Sequence, residues 1–222
     1  MSGNDFLTLA IILVVILVSM VLHELAHGVV AYWLGDDTAK DDGRLTLNPL
    51  KHLDPVMSFL IPILMFISGG PIFGGAKPVP VDSNKLKHGP WGMALVAISG
   101  PITNFLLALI FFLIGAWTGL LGVTGGALHY AGNIWGLIFA EIVMVNLGFG
   151  IFNLIPIPPL DGSRVLYAIA PDPVRNIMDN LEHFGIIIVM ALIIIFPGAL
   201  SAVMGGALDG ILTAFGWLAS FF

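Results

Sequence analysis

The 222-residue chain is 58% hydrophobic and 10% charged, with a formal net charge of −6 and no cysteine. Soluble domains carry about 25% charged residues, so this composition excludes a soluble globular domain or a disordered chain and predicts a multi-pass membrane protein. Eight Lys and Arg against fourteen Asp and Glu leave no basic surface for nucleic acid, and the lack of cysteine excludes disulfides and thiolate metal ligands.

Uncharged segments predict the membrane-spanning helices in chain order. Residues 6–34 form the first span, residues 91–120 a second, and residues 134–155 a third that ends in a proline cluster. Residues 184–222 are apolar with a break at 196–198, so the number of spans after residue 184 stays open. We expect an all-α polytopic membrane protein with about five to six transmembrane helices.

The apolar run 55–76 is interrupted by prolines and glycines and lies between two loops, 35–54 and 77–90, with three positive charges each. If this run crossed the membrane, one of the loops would violate the positive-inside tendency. A re-entrant segment avoids the conflict, since irregular backbone is tolerated at membrane depth when protein buries it. We therefore place both loops and residues 156–183 in the cytoplasm, and residues 121–133 outside.

Two segments of the cytoplasmic loops look extended. Residues 43–48 alternate polar and apolar side chains, and residues 76–81 contain prolines that confine a strand to a sheet edge. We expect these segments to pair as a short membrane-associated β-hairpin.

The first span contains an H-E-x-x-H motif at residues 23–27. A spacing of four puts His23 and His27 on one helical face, where they can share a metal ion, with Glu24 beside them. A charge inside a span costs about 2.5–3.5 kcal/mol, so ionisable groups there are usually functional. The alternative is a polar patch at the end of the span whose histidines are satisfied by hydrogen bonds.

A catalytic zinc site needs a third protein ligand. Asp161 is the strongest candidate, because it follows the proline-broken end of the third span and lies on the same side as the H-E-x-x-H motif in the re-entrant topology. Capping of the helix that starts near Gly162 is the alternative role, since Asp is common at such positions. The spacing alone leaves both open.

The H-E-x-x-H motif, combined with N-x-x-P-x-P-P-L-D-G at residues 153–162, resembles the site-2 proteases, which are intramembrane zinc metalloproteases. Further matches are G-P-I-T-N at 100–104, N-P-L-K-H at 48–52, and residues 74–81, which resemble a short bacterial or archaeal subgroup. No PDZ or CBS-type segment is visible. The resemblance implies one transmembrane peptidase domain over residues 1–222, with a catalytic core at about 6–170 and C-terminal helices at about 184–222.

The resemblance also assigns roles to individual residues. One Zn²⁺ per chain is expected, with Glu24 as the general base. An unwound substrate is expected to add to an edge strand at 79–81, although a hairpin that merely covers the site is as compatible with the sequence. For the amides of Asn104 and Asn153, a helix–helix hydrogen bond is an equally compatible role. The implied residues are His23, His27 and Asp161 for zinc, Glu24 for catalysis, and Asn104, Asn153, Val79, Pro80 and Val81 for substrate.

The expected function is hydrolysis of peptide bonds within or near transmembrane segments, as in regulated intramembrane proteolysis. The expected partners are transmembrane-helix substrates and the lipid bilayer, without nucleic acid, and a homo-oligomer stays open. The expected location is a prokaryotic inner membrane, with the active site toward the cytoplasm. A metal transporter or sensor using the same His and Asp residues, and a relative that binds membrane helices without cutting them, stay as alternatives.

Two further polar residues receive no role from the sequence. Glu141 lies inside the third span, and its distance from the cytoplasmic end argues against zinc ligation. His52 lies in a loop and is expected to be solvated.

Overall fold

The computed structural model describes residues 3–68 and 77–221. Within these ranges the chain is mostly helical, with one small antiparallel sheet. The helices are α1 Gly3–Trp33, α2 Thr38–Asp41, a 3₁₀ turn Pro49–Lys51, a π-helical turn Val56–Leu60, α3 Ile61–Ser68, α4 Pro90–Trp117, α5 Ile134–Asn153, α6 Asp161–Ile169, α7 Asp172–Glu182, α8 Gly185–Ile195 and α9 Pro197–Ala219, and the strands are β1 Leu121–Thr124 and β2 Ala127–Tyr130.

Four of the described helices, α1, α4, α5 and α9, are long and apolar enough to cross a membrane. A fifth span is reached if α7 and α8, which meet at 88°, count together. The predicted polytopic helical fold is confirmed; a count of five meets the lower end of the expected range, and a count of four is one below it. The break predicted at 196–198 is also present, because Pro197 ends α8 and starts α9.

The run 55–76 does not form a crossing helix in its described part. The turn Val56–Leu60 continues into α3, which ends at Ser68. These thirteen helical residues reach about 20 Å, less than the ~30 Å of a hydrocarbon core. Residues 69–76, which would form the returning half of the re-entrant hairpin, lie outside the described residues, so the complete hairpin stays a prediction.

The β-hairpin lies between α4 and α5, where the sequence suggested only an outer loop. Leu121 pairs with Tyr130 and Thr124 with Ala127, and Gly125 and Gly126 both adopt positive φ in the turn. Such a two-residue turn suits a tight hairpin because it matches the twist of the strands.

The hairpin predicted from residues 43–48 and 76–81 is therefore wrong in position. Neither 43–48 nor 77–81 is a strand, and residue 76 is not described. A side chain joins the two segments instead of a backbone ladder, since Arg44 Nη2 donates to the carbonyls of Lys77 (2.7 Å) and Pro78 (3.1 Å).

The long helices bring three chain segments together at one end of the bundle. His27 near the end of α1 contacts Val96 near the start of α4, and Asp161 after α5 contacts His23. The hairpin closes the opposite end, where an apolar cluster fills the interior. Its fully buried members are Ala108, Phe112, Leu121, Ala140, Val143, Leu147, Ile151, Leu212 and Phe215.

Candidate metal centre

Helix α1 places two imidazoles side by side inside the bundle. His23 and His27 are 7% and 8% exposed, and their Nε2 atoms lie 3.0 Å apart. The four-residue spacing produces this arrangement directly, because residues i and i+4 stack on one helical face.

The outer nitrogens of both rings face oxygen atoms that can only accept hydrogen bonds. His23 Nδ1 lies 2.6 Å from Asn104 Oδ1, and His27 Nδ1 lies 2.7 Å from the Val96 carbonyl oxygen. Each Nδ1 therefore carries a hydrogen and donates it. When both rings are neutral, as metal ligation requires, the two Nε2 atoms keep lone pairs that point at each other.

Asp161 places a carboxylate oxygen beside the two Nε2 atoms. Its Oδ2 lies 3.1 Å from His23 Nε2 and 3.4 Å from His27 Nε2, and this buried oxygen has no hydrogen-bond partner among the described residues. One ligand atom from each of the three residues lies within 4.8 Å of the others. These three acceptor atoms need a cation between them, either a proton on one imidazole or a metal ion, and two imidazole nitrogens with a carboxylate oxygen suit zinc.

The backbone after α5 turns Asp161 toward the histidines. Asp161 is the first residue of α6, whose N-cap is Leu160, and its Oδ2 has no hydrogen-bond partner among the described residues, so the geometry does not favour the capping alternative. Gly162 is needed for space, because a Cβ there would lie 2.2 Å from the Leu154 carbonyl oxygen. This close approach lets α6 pack against the preceding loop.

Helix α4 approaches the imidazoles through a glycine. A Cβ added to Gly100 would lie 2.6 Å from atoms of both His23 and His27. The G-P-I-T-N match therefore has a physical basis in this chain, since Gly100 leaves room for the rings and Asn104, one turn later, contacts His23.

Asn104 and Asn153 were both predicted to contact substrate. The structure gives the two residues different surroundings. Asn104 is 0% exposed and its Nδ2 donates to Asn146 Oδ1 at 2.8 Å, while Asn146 Nδ2 donates to Ser19 Oγ at 2.9 Å. Asn104 thus orients His23 from behind, at the start of a buried polar chain. Asn153 ends α5, and its Nδ2 donates to the Phe149 carbonyl at 3.1 Å.

The segment 77–81 lies against the glutamate of the motif. The backbone N–H of Val79 donates to Glu24 Oε2 at 2.7 Å, and the Val79 side chain is buried. Val79 therefore contacts Glu24, and Pro80 and Val81 follow it in a segment that forms no strand.

A buried aspartate that the sequence did not single out anchors this segment. Asp36 accepts hydrogen bonds from the Thr38 amide and hydroxyl and from the Asp82 amide. Burial raises the pKa of Asp36, but the hydrogen bonds from Thr38 and Asp82 and the charge of Lys85 lower it by more, so the net shift is downward. A carboxylate directly after the glycine that ends the first span was the available sequence signal.

His52 is a second anchor, and its predicted solvation is wrong. It is 1% exposed, its Nε2 donates to the Thr46 carbonyl at 2.9 Å, and its own carbonyl accepts from the Lys77 amide. The loops before and after α3 are thus tied together beside the site.

Comparisons with known proteins agree with this geometry. The model of peptidase family M50 matches residues 11–196. A Bacillus subtilis protein named "Putative zinc metalloprotease YwhC" is 39% identical over 188 residues, which cover 82% of this chain and 80% of that relative. A Mycolicibacterium smegmatis protein named "Putative zinc metalloprotease Rip2" is 30% identical over 179 residues, 80% of this chain and 64% of that relative, so the match spans just under two thirds of its length. No solved structure gives a significant match.

Proposed function

Since this chain belongs to peptidase family M50, the family of the site-2 proteases, we propose that it cuts peptide bonds within or beside transmembrane segments of other membrane proteins. Family membership makes the protein a membrane zinc metalloendopeptidase, which favours an enzyme over a transporter or a non-cleaving binder. The observation that carries the substrate class is the position of the metal group. His23 and His27 lie inside the membrane-spanning part of α1, where a substrate must be embedded in the membrane to reach them.

We assign the metal to His23, His27 and Asp161, whose three ligand atoms lie within 4.8 Å of one another. When bound, zinc activates a water molecule and polarises a carbonyl group as a Lewis acid. The hydrogen bonds from the two Nδ1 atoms keep both rings in the ligating tautomer and orientation.

Glu24 is proposed as the general base and then the general acid. Its carboxylate accepts the proton of the attacking water and returns it to the amide nitrogen as the C–N bond breaks. The Val79 N–H holds Oε2, which leaves Oε1 available for the proton. Because Val79 fixes the carboxylate, Glu24 enters each cycle in one orientation.

Some of the residues expected to bind substrate are proposed to contact it directly, and one is proposed to act through a metal ligand. A helix hides its peptide groups in its own hydrogen bonds, so the substrate must unwind locally before attack. Val79 contacts Glu24, and Val79, Pro80 and Val81 offer backbone for such a segment to follow. Asn153 at the end of α5 is the amide proposed to contact substrate directly, whereas Asn104 acts through His23.

The charges of the loops predict which side of the membrane the metal group faces. With the basic loops 35–54 and 77–90 on the cytoplasmic side, the metal group faces the cytoplasmic half of a prokaryotic inner membrane. The chain is proposed to act as one peptidase domain, with the core at 6–170 and the C-terminal helices at 184–222 completing the bundle.

The test uses full-length protein in lipid vesicles with a panel of single-span membrane proteins. Wild type is expected to release fragments whose new ends map by mass spectrometry within or beside the span, while Glu24→Gln leaves every substrate intact and keeps its zinc. Cleavage confined to soluble loops far from the membrane would contradict the proposal, and so would full activity of Glu24→Gln.

A further inference from the structure

A cavity of about 520 Å³ lies between α1, α5 and the corner of α8 and α9. Its walls are mostly apolar, with Ile12 and Ile16 from α1 and Phe149 and Phe152 from α5. It reaches the lipid-facing surface at Met144, which is 37% exposed. We call this cavity the Glu141 groove, after the one charged residue in its lining.

Glu141 has no partner among the residues that the structure describes, where neither a hydrogen bond nor an ion pair involves its carboxylate. It is half-buried within a membrane-spanning helix. An ionisable group at membrane depth is costly, and such groups normally pair with a donor or line a functional path. A hydrogen-bond donor from outside the chain would satisfy the carboxylate.

The groove leads toward the metal group. Ser19 and Asn146 are hydrogen-bonded and therefore lie at the same depth. His23 follows Ser19 by four residues, and Glu141 precedes Asn146 by five. At 1.5 Å per residue, Glu141 lies about 13 Å from His23 along the bundle axis. The α1 wall continues in the same direction, since Ile16 is two turns before His23 on one helical face.

We propose that the Glu141 groove seats one transmembrane helix of the substrate, and that Glu141 selects helices with a side-chain hydrogen-bond donor at a set distance from the cleaved bond. The proposal rests on the proposed function. A helix rises 1.5 Å per residue, so 13 Å corresponds to about nine residues. The donor belongs on the outer side of the cleavage point, because Glu141 is nearer the hairpin end. Suitable residues are Asn, Gln, His and Lys.

The chemistry of the groove favours a substrate helix over a lipid or a second copy of the chain. An acyl chain fits apolar walls, but it carries no donor for the carboxylate. The groove also points along α1 and α5 to the metal group, which a substrate must reach and a packing partner need not. A single hydrogen bond between membrane helices changes affinity by about three- to thirtyfold, enough to discriminate among helices that are otherwise equally apolar.

The experiment uses full-length protein in vesicles and two model substrates that differ only in Gln or Leu nine residues to the outer side of the cut. Wild type is expected to cleave the Gln substrate about fivefold faster, and Glu141→Leu is expected to cleave both at one rate. Glu141→Gln, whose amide oxygen still accepts, retains part of the preference. The matched control is Asp209→Asn in α9, an acidic span residue outside the groove lining, which keeps the full preference. Zinc content verifies that each variant is folded.

A second readout does not depend on cleavage. In a Glu24→Gln background, a photo-cross-linker at position 144 is expected to capture the Gln substrate more than the Leu substrate. Equal cleavage of both substrates by wild type, or an unchanged preference in Glu141→Leu, overturns the proposal. Cross-links only to lipid or to a second copy also overturn it. If wild type cuts no membrane substrate, the proposed function fails, and the cross-link still decides whether the groove binds a helix.

Discussion

A chain of buried, hydrogen-bonded polar side chains lies beside the metal group, whereas the cluster at the hairpin end is apolar. His23, Asn104, Asn146 and Ser19 form one chain of hydrogen bonds between α1, α4 and α5. At the hairpin end, apolar side chains such as Phe112 fill the interior between α4, α5 and α9.

The polar half of the bundle orients the metal ligands, whereas the apolar half holds the helices together. A hydrogen bond specifies the tautomer and angle of an imidazole, so each link in the polar chain affects metal binding. Apolar packing holds helices together but specifies no angle at the metal group. Substitutions in the polar half should therefore change zinc binding more than stability, and substitutions in the apolar half should do the reverse.

The largest effect is expected for Asp161→Ala. Removing the carboxylate leaves two imidazole ligands, too few for a stable zinc site, so bound zinc and proteolysis should both be lost. Elemental analysis of purified protein measures the zinc directly. The control is Glu24→Gln, which should keep about one zinc per chain. If Asp161→Ala retained full zinc occupancy, another residue would be the third ligand.

Gly100→Ala should weaken zinc binding by about 10- to 100-fold. The added Cβ would lie 2.6 Å from atoms of both imidazoles, and the displaced rings would no longer point both Nε2 atoms at one metal position. Competition with a chelator measures the affinity. Gly205→Ala is the matched control, since a Cβ there meets nothing within 4 Å. Equal affinities of the two variants would show that the rings adjust freely.

Asn104→Leu compares the two halves most directly. Leu keeps the approximate volume but accepts no hydrogen from His23, so zinc affinity should fall about tenfold, with a smaller change in thermal stability. Phe112→Ala is the counterpart in the apolar half. It should cost about 3–5 kcal/mol of unfolding free energy through the cavity it leaves and keep wild-type zinc affinity once folded. Parallel changes in both variants would refute the separation of roles.

The smallest effect concerns pH and the anchor at Asp36. Its pKa is lowered in the folded protein, so its stabilising contribution is present above the unfolded pKa of about 3.9 and is lost as pH falls through the folded value. The protection of the Asp82 amide, which is its hydrogen exchange rate relative to the intrinsic rate at the same pH, should fall over that acidic range in wild type. Asp36→Asn should exchange faster already at pH 7 and lack the acidic step. Asp37→Asn, which breaks only the exposed ion pair with Lys85, should behave as wild type.

The sequence located what depends on local periodicity. The four-residue spacing of His23 and His27 and the long apolar runs are features of single helices. The imidazole pair and the main spans could therefore be predicted without knowing how the helices pack. The hairpin was misplaced for a related reason. Alternation at 43–48 resembled a strand, while the better signal, Gly125-Gly126 between two short apolar runs, was overlooked.

The tertiary structure decided everything that joins distant residues. That Asp161 turns toward the histidines, that Asn104 lies behind His23, and that Asp36 and His52 are buried anchors all follow from contacts between helices and loops far apart in the chain. Helical periodicity is set by neighbouring peptide units, and the sequence displays it. The direction in which a side chain points into a bundle is set by the packing of other helices, and only the folded chain determines it.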